Sequence, residues 1–188
     1  DFDADGRADL LVQGNSNRIT LLFGDGQGGF PRVTVLEHDW SSRGLDAADF
    51  DEDGRLDFVR GVYASGQISV FFGQGDGTFA APLALGSAGS DPYGVVAGDF
   101  DADGHPDVIA NQGGSGDSTL FRGVGDGTFE PGAPLPSVDL DRYSTFDALD
   151  FDGDGALDIV AVDYDGGSWR LLFGNGDGTF APPVLIAN

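Results

Sequence analysis

The sequence predicts an all-β protein, a β-propeller built from four-stranded antiparallel blades, with four repeats in this chain. Two recurring motifs and the apolar alternation between them support this fold class. An acidic motif returns as DFDADGRAD (1–9), DFDEDGRLD (49–57), DFDADGHPD (99–107) and DFDGDGALD (150–158). A glycine-rich motif follows each copy, as FGDGQGGF (23–30), FGQGDGTF (72–79), RGVGDGTF (122–129) and FGNGDGTF (173–180). We call these segments the acidic loops and the glycine turns.

Each repeat is predicted to contain four short strands, which the second copy illustrates. The stretch GLDAADF (44–50) leads into the acidic loop, LDFVRGVY (56–63) leaves it, GQISVFFG (66–73) returns, and TFAAPLALG (78–86) follows the glycine turn. Val, Ile and Phe occupy the strands, with Gly, Asp and Ser between them, as in hairpins. A four-stranded unit of this length is typical of a propeller blade. The single domain therefore divides into repeats at about 1–43, 44–93, 94–144 and 145–188.

Most phenylalanines recur at equivalent positions of the repeats, which predicts that they pack one blade on the next. Three sets recur: Phe2, Phe50, Phe100 and Phe151 in the acidic loops, Phe23, Phe72 and Phe173 opening the glycine turns, and Phe30, Phe79, Phe129 and Phe180 closing them.

The first blade is expected to lack its innermost strand. A strand such as YGVVAGDF (93–100) precedes each later acidic loop, whereas the first loop begins at Asp1. Only APPVLIAN follows Phe180, which is too short to supply a replacement. An open sheet edge favours pairing with another strand. Three arrangements fit this expectation: a fragment of a larger propeller, a closed four-bladed ring with one thin blade, or chains that complete one another as an oligomer.

Composition narrows the class of partner. The 188 residues include 32 acidic and 9 basic ones, for a net charge of −23. This balance argues against nucleic acids and anionic membrane surfaces as partners, because both are negatively charged and bind proteins through Lys and Arg. No run of 18 apolar residues occurs, so no membrane insertion is expected. The chain has no Cys and no Met, which excludes disulfides and indicates a processed chain or an excised piece.

The acidic loops share the pattern D-x-D-x-D-G-x-x-D, which predicts a cation site in each. Two carboxylates about 5 Å apart repel by roughly 3 kcal/mol at an effective dielectric constant near 20. Calcium takes six to eight oxygen ligands, and alternate carboxylates on a tight loop supply them. Zinc is disfavoured because only oxygen ligands are offered, and Mg²⁺ prefers fewer carboxylates and more water.

About four Ca²⁺ ions are therefore expected, one per loop. The ninth aspartate is expected to bind through both oxygens, and the seventh residue through its carbonyl. The predicted ligands are Asp1, Asp3, Asp5, Arg7 and Asp9; Asp49, Asp51, Asp53, Arg55 and Asp57; Asp99, Asp101, Asp103, His105 and Asp107; and Asp150, Asp152, Asp154, Ala156 and Asp158. An EF-hand is rejected because its twelfth position requires Glu, where this chain has Val12, Arg60, Ala110 and Ala161.

The paired motifs resemble the FG-GAP/VCBS repeat family, the integrin-α-like calcium-binding β-propellers, over essentially the whole chain. The resemblance implies calcium held in the hairpin between the first and second strands of each blade. Arg122 departs from the family pattern, which has Phe at that position. We expect this change to weaken local packing in the third blade without touching a metal ligand.

In propellers of this family the ligand face lies opposite the calcium loops. The corresponding inter-blade loops here are 37–44, 86–94 and 137–145, and the loops within blades carry Tyr63, Tyr164 and Trp169. Exposed aromatic side chains beside polar groups suit a sugar or a protein partner. The candidate ligand-binding residues are Trp40, Arg43, Tyr93, Arg142, Tyr143 and Trp169.

We expect a calcium-binding, extracellular or cell-surface propeller that serves as an adhesion or recognition scaffold and binds a protein or a glycan. No catalytic residues are predicted, because the paired carboxylates that suit acid–base chemistry are committed to metal. The alternatives are a carbohydrate-binding lectin, a non-catalytic propeller domain of a secreted polysaccharide-active enzyme, or a structural subunit of a surface assembly. Further blades from the same gene, or a homo-oligomer, would complete the ring.

Overall fold

A computed structural model describes residues 1–14, 18–37, 42–62, 65–87, 92, 94–111, 118–135, 145–162 and 167–187. Within these residues the chain forms fifteen strands and no helix. The strands are β1 (Leu10–Gln13), β2 (Arg18–Phe23), β3 (Arg32–Glu37), β4 (Ser42–Ala48), β5 (Asp57–Val62), β6 (Gln67–Phe71), β7 (Leu83–Ser87), β8 (Val95–Gly98), β9 (Asp107–Asn111), β10 (Ser118–Phe121), β11 (Ala133–Leu135), β12 (Thr145–Leu149), β13 (Asp158–Val162), β14 (Trp169–Leu172) and β15 (Val184–Ala187).

The strands form four consecutive antiparallel sheets, which we number blades 1 to 4. Blade 1 contains β1–β3, blade 2 contains β4–β7, blade 3 contains β8–β11 and blade 4 contains β12–β15. Within each blade, consecutive strands pair with one another, as hairpin connections require. The predicted propeller architecture is therefore confirmed, including a first blade of three strands. Nothing in the described part of the chain is a helix with the length and apolarity needed to cross a membrane.

The first strand of blade 2 begins earlier than the sequence predicts. It starts at Ser42, so Arg43 lies within β4 rather than in an inter-blade loop. The pairing of β4 with β5 shifts between Arg43 and Leu45, where Gly44 has φ +76°. A Cβ on Gly44 would lie 2.4 Å from the backbone nitrogen of Val95 in blade 3. Only glycine permits both this backbone conformation and this approach.

The central strands of the middle blades are buried on both faces because each of these blades lies between two neighbours. All six residues of β5 and all five of β9 are buried. In blade 1 the alternation is one-sided: Ile19, Leu21 and Phe23 face blade 2, whereas the residues between them are more exposed. Side chains alternate between the faces of a strand, so burial on one face only marks a sheet with one neighbour.

Apolar clusters join consecutive blades and form the core. Each cluster combines β-branched and aromatic side chains from facing sheets, as sheet-on-sheet packing requires. The principal members are Ile19, Phe58 and Phe71 between blades 1 and 2; Val59, Val70, Val108 and Phe121 between blades 2 and 3; and Ile109, Leu120, Ile159 and Leu172 between blades 3 and 4.

In blades 1, 2 and 3 the second residue of the acidic loop also ties its blade to the next one. The backbone N–H of a glycine-turn residue donates to the carbonyl of this phenylalanine at all three junctions: Gly77 to Phe2 (3.0 Å), Gly127 to Phe50 (3.2 Å) and Gly178 to Phe100 (2.9 Å). The rings also meet a phenylalanine of the next blade, with centroid separations of 5.9 Å for Phe2–Phe79, 5.6 Å for Phe50–Phe129 and 6.0 Å for Phe100–Phe180.

Substitution of Phe50 by Ala is expected to destabilise the fold by about 3–5 kcal/mol, because the side chain is 1% exposed and its removal leaves a cavity between blades 2 and 3. Phe151→Ala is the matched control, since the equivalent ring in blade 4 is 47% exposed. That change should cost less than about 1 kcal/mol. Urea unfolding of dilute protein measures both, and equal losses would contradict the assigned packing.

Candidate metal centres

The first carboxylate of each acidic loop organises the backbone around it. Its oxygens accept N–H bonds from the fifth and sixth loop residues at 2.7–3.2 Å in all four copies. The fifth aspartate in turn accepts the N–H of the seventh residue at 2.8–3.0 Å. These bonds fold the chain back on itself within six residues, which brings alternate side chains together.

This turn needs left-handed backbone at two positions. The sixth residue is glycine in every copy, with φ between +82° and +94°. The fourth residue is also left-handed, and it is a non-glycine in three copies: Ala4, Glu52 and Ala102 have φ of +56°, +55° and +59°. Such a conformation costs an L-residue about 1–2 kcal/mol. The sequence pattern indicates the first of these requirements and not the second.

The ninth aspartate fastens the acidic loop to the glycine turn. One of its oxygens accepts the N–H of the loop phenylalanine at 2.7–3.0 Å, and the other accepts the N–H of a turn glycine at 2.7–2.9 Å. Asp57 and Asp107 are fully buried, and Asp158 is 1% exposed. A Cβ on the turn glycine of blade 2, Gly73, would lie 2.2 Å from the carbonyl oxygen of Leu56, so glycine is required there. In the structure, each oxygen of this aspartate already accepts a backbone N–H. That both oxygens also bind a metal ion stays a prediction.

Three carboxylates converge in every loop. In each group one oxygen per residue lies within 4.8 Å of the others. At that separation each like-charged pair repels by about 3 kcal/mol at an effective dielectric constant near 20. These clusters can hold metal ions. They are Asp1, Asp3 and Asp5; Asp49, Asp51 and Asp53; Asp99, Asp101 and Asp107; and Asp150, Asp152 and Asp158.

The aspartate at the third position of the loop shows most clearly that a positively charged ligand or hydrogen-bond donor is lacking. The Oδ1 atoms of Asp3, Asp51 and Asp101 are buried and accept no hydrogen bond from the described residues. A buried carboxylate oxygen without a donor is costly. The donor set in each loop is made only of oxygens, which suits a hard cation such as calcium rather than a soft metal. The residues present therefore fit the predicted ion.

Arginines from other segments approach two of these aspartates. Arg122 Nε donates to Asp101 Oδ2 at 2.8 Å, and Arg32 pairs with Asp3. The expectation that Arg122 touches no predicted metal ligand is wrong. Its guanidinium reaches back from the glycine turn of blade 3 to the acidic loop of the same blade, a contact that sequence spacing does not reveal.

The side chain at the seventh position of the acidic loop differs among the four copies and makes different contacts. Arg7 Nη1 donates to Asp5 Oδ2 at 2.9 Å, and Arg55 pairs with Asp53 in the same way. His105 instead contacts Glu52 in the acidic loop of blade 2, which raises the pKa of the imidazole through that hydrogen bond. The carbonyls predicted to bind metal belong to these residues and to Ala156.

Burial shifts the titration of the ninth aspartates. Desolvation, and then the charges of neighbouring loop carboxylates, raises the pKa of Asp57 and of Asp107 to about 6, against the backbone N–H bonds that lower it. Burial and then the charge of Asp53 also raise the pKa of Asp51. With protein groups alone, these acids therefore hold their protons to a higher pH in the folded chain than in the unfolded one.

The stability of the protein in a chelator should fall as the pH rises from about 4 to about 6.5. In this range the folded chain binds more protons than the unfolded one, because the folded pKa values lie above the ordinary value near 3.9. Each of Asp57 and Asp107 contributes a loss on the order of 3 kcal/mol at most. Urea unfolding at a series of pH values measures this slope, which Asp107→Asn should reduce. Constant or rising stability across the range would contradict the assignment.

Most of the predicted ligand-binding residues lie outside the described part of the chain. These are Trp40, Tyr93, Arg142 and Tyr143, and Tyr63 and Tyr164 lie outside it as well. The backbone of Arg43 is in β4. Trp169 is the first residue of β14 and is 45% exposed, on the face of blade 4 that points away from blade 3. Their predicted roles stay predictions.

Sequence reasoning missed one unusual buried residue, Arg60 on β5. It is 7% exposed, its guanidinium lies 5.1 Å from the centre of the Phe71 ring, and its Nε and Nη1 atoms have no hydrogen-bond partner among the described residues. Burial lowers its pKa. The sequence does indicate that Arg60 is unusual, because the other three repeats have a small apolar residue at the equivalent position: Val12, Ala110 and Ala161.

Solved structures similar to this chain include a lectin and a toxin pore. A lectin of Agrocybe aegerita, described for its recognition of non-reducing terminal N-acetylglucosamine, is 18% identical with a TM-score of 0.66. That match covers all of this chain and 50% of the lectin chain, so this chain spans half the lectin's length. The Tc holotoxin pore of Photorhabdus luminescens is 16% identical with a TM-score of 0.43, over all of this chain and 12% of the toxin chain. No curated protein matches significantly.

The family comparison covers nearly every residue of the chain. The profile of the FG-GAP-like repeat matches residues 1–60, 58–110, 104–161 and 150–187, with each match containing one acidic loop or more. Together these matches span all four blades and all four carboxylate clusters, although their bounds are offset from those of the blades. The chain belongs to the FG-GAP-like repeat family.

Proposed function

We propose that this chain is a calcium-stabilised, non-catalytic propeller segment that acts outside the cell as a recognition scaffold for a glycan or a protein. The observation that carries the proposal is the repeated cluster of three carboxylates, in which three loops bury an unpartnered oxygen. A bound calcium would supply the positive charge that offsets repulsion among these groups.

Calcium would act on the fold rather than on a substrate. The carboxylates of one loop are spaced along the same short turn that carries the inter-blade phenylalanine, such as Phe50. A cation that holds Asp49, Asp51 and Asp53 together therefore also holds Phe50 against blade 3. The extracellular setting is supported by the charge of −23 and by the exposure of the loops, since modest calcium sites fill where the ion is abundant.

A recognition role is supported by the fold and by the variable loops. The Agrocybe aegerita lectin, which recognises N-acetylglucosamine, shares the architecture, although 18% identity conveys the fold alone. The inter-blade loops of this chain differ from one another in sequence, whereas the acidic loops are nearly identical. Binding residues are commonly found on variable loops carried by a constant framework.

Chelation of calcium is expected to lower the melting temperature, and titration calorimetry should count about four ions per chain. Asp51→Asn should remove one of them, because Asp51 lies in a cluster, has one buried unpartnered oxygen and shows no ion pair among the described residues. Calcium should then raise the melting temperature of the variant less than that of the parent protein.

Asp76→Asn is the matched control for this experiment. Asp76 lies in the adjacent glycine turn, where its carboxylate accepts the N–H of Thr78 at 2.9 Å and belongs to none of the four clusters. This variant should keep the full number of ions. A melting curve that EDTA leaves unchanged, or equal loss of ions in both variants, would contradict the proposed site.

A glycan array probed in calcium tests the recognition role. Competable binding that is lost in Trp40→Ala or Tyr93→Ala would support a lectin site on the predicted inter-blade loops. Trp169→Ala is the comparison, because Trp169 lies on a sheet face of blade 4. Loss in Trp169→Ala alone would contradict a site on the inter-blade loops, and the absence of any glycan binding would favour a protein ligand.

A further inference from the structure

Arginine side chains contact the acidic loops of three blades, and two of these arginines reach the aspartate at the third position. Arg122 Nε donates to Asp101 Oδ2 at 2.8 Å, and Arg32 Nη2 pairs with Asp3 Oδ2. In both cases the contacted aspartate keeps a buried Oδ1 atom that accepts no hydrogen bond from the described residues. Each guanidinium therefore takes one oxygen of a predicted calcium ligand and leaves the other oxygen available.

These two arginines come from different places in the repeat. Arg122 opens the glycine turn of blade 3, where the other three blades have Phe. Arg32 comes two residues after the glycine turn of blade 1. Its guanidinium carbon lies over the Phe23 ring, 3.3 Å from the centre, so Arg32 reaches Asp3 across the side chain that corresponds to Arg122. Two unrelated sequence positions thus place a cation beside the same aspartate of the loop.

In blade 2 a phenylalanine occupies the space that Arg122 occupies in blade 3. A Cβ on Gly127 would lie 3.2 Å from the Phe72 ring and 3.1 Å from the Cβ of Asp51. A Cβ on Gly178, the equivalent glycine of blade 4, would lie 2.5 Å from Arg122 Nη2. Phe72 and Arg122 therefore both lie between their acidic loop and the following blade. Within the described residues, Asp51 has no arginine contact.

Arg122 also contacts the next blade directly. Its Nη2 donates to the carbonyl of Asp177, in the glycine turn of blade 4, at 3.3 Å. The Arg122 side chain is 30% exposed and that of Asp101 is 14% exposed. Ion pairs are screened less where water is partly excluded. Arg122 thus joins the acidic loop of blade 3 to blade 4 through protein groups alone.

The arginines at the seventh position of the loop contact a more exposed aspartate. Arg7 and Arg55 pair with the fifth aspartates, Asp5 and Asp53, which are 31% and 25% exposed. The third aspartates of blades 1 and 3 are only 14% exposed. Pairs between exposed charges contribute little because solvent screens them. An arginine at the third aspartate therefore acts more strongly on the carboxylate cluster than one at the fifth.

Given the calcium sites proposed above, we propose that Arg32 and Arg122 are built-in counter-ions that lower the calcium affinity of blades 1 and 3. The affinity of a carboxylate site depends on the number of charges in its ligand set. A guanidinium at the third aspartate offsets one of these charges and makes the loop less dependent on the ion. Orientation of the aspartate does not require an arginine, since Asp51 buries the same oxygen without one.

Arg122→Phe tests this role with the residue that blade 2 has at the same position. The variant should keep the number of ions of the parent and bind one of them at least about tenfold more tightly, because a positive charge leaves the cluster. Competition with a chromophoric calcium chelator measures both quantities. Calcium should also raise the melting temperature of this variant by more than it raises that of the parent. Adding Asp101→Asn should remove the tightened ion.

Two further substitutions extend the test to the other blades. Arg32→Ala introduces in blade 1 the residue that blade 2 has at the equivalent position, Ala81, and should tighten the blade 1 site in the same way. It gives an independent answer if Arg122→Phe folds poorly. Phe72→Arg should have the opposite effect and weaken the blade 2 site.

Arg18→Gln is the matched control for charge. Arg18 is exposed and begins β2, whereas the glycine turn follows the other end of this strand. Five residues of strand span about 16 Å, which exceeds the Debye length of about 8 Å at 0.15 M salt. This variant loses the same charge as Arg32→Ala, and its calcium affinities should stay within about twofold of the parent values.

Unchanged or weaker calcium binding in Arg122→Phe or in Arg32→Ala would overturn the counter-ion role for that blade, because the arginine would then orient its aspartate rather than compete with the ion. Equal tightening in Arg18→Gln would overturn it for both blades, since net charge alone would account for the effect. A parent chain that binds no calcium would overturn the proposed calcium sites themselves, and the role of the arginines with them.

Discussion

The carboxylate at the ninth position of each acidic loop, which is buried in blades 2, 3 and 4, makes the interaction on which the rest of the structure depends. It receives two backbone N–H groups, one from the loop and one from the glycine turn, in every blade. Neither segment is in a regular strand, so both would otherwise leave these donors unsatisfied in the interior. These two hydrogen bonds join the acidic loop to the glycine turn. Both segments contact the neighbouring blades, so blade-to-blade packing depends on this joint.

The same unit concentrates charge where the blades meet. Folding brings three carboxylates of each loop to within 4.8 Å of one another, and in blades 1, 2 and 3 it also buries the neighbouring phenylalanine against the next blade. Stacking and charge repulsion are thus linked through a turn of nine residues. Protonation, arginine contacts such as Arg122 to Asp101, and a bound cation are three ways to relieve that repulsion, and they act on one structural element.

The four loops are equivalent in sequence pattern and different in their surroundings. Asp3 and Asp101 each have an arginine partner, whereas the described residues give Asp51 none. Position also matters, since the blade 1 and blade 4 repeats each have a neighbour on one side only. The end blades therefore expose side chains such as Leu10 and Phe151, which the middle blades bury.

The sequence by itself determined the repeats, the strand count of each blade and the residues of the acidic loops, because those features depend on spacing along the chain. The tertiary structure decided what spacing cannot show. It gave the ninth aspartate its two backbone donors, brought Arg122 to Asp101 and buried Arg60 against Phe71. It also separated buried from exposed copies of one motif, as with Phe50 and Phe151. Each of these outcomes depends on groups that meet only after the blades have folded and stacked, so no local pattern encodes them.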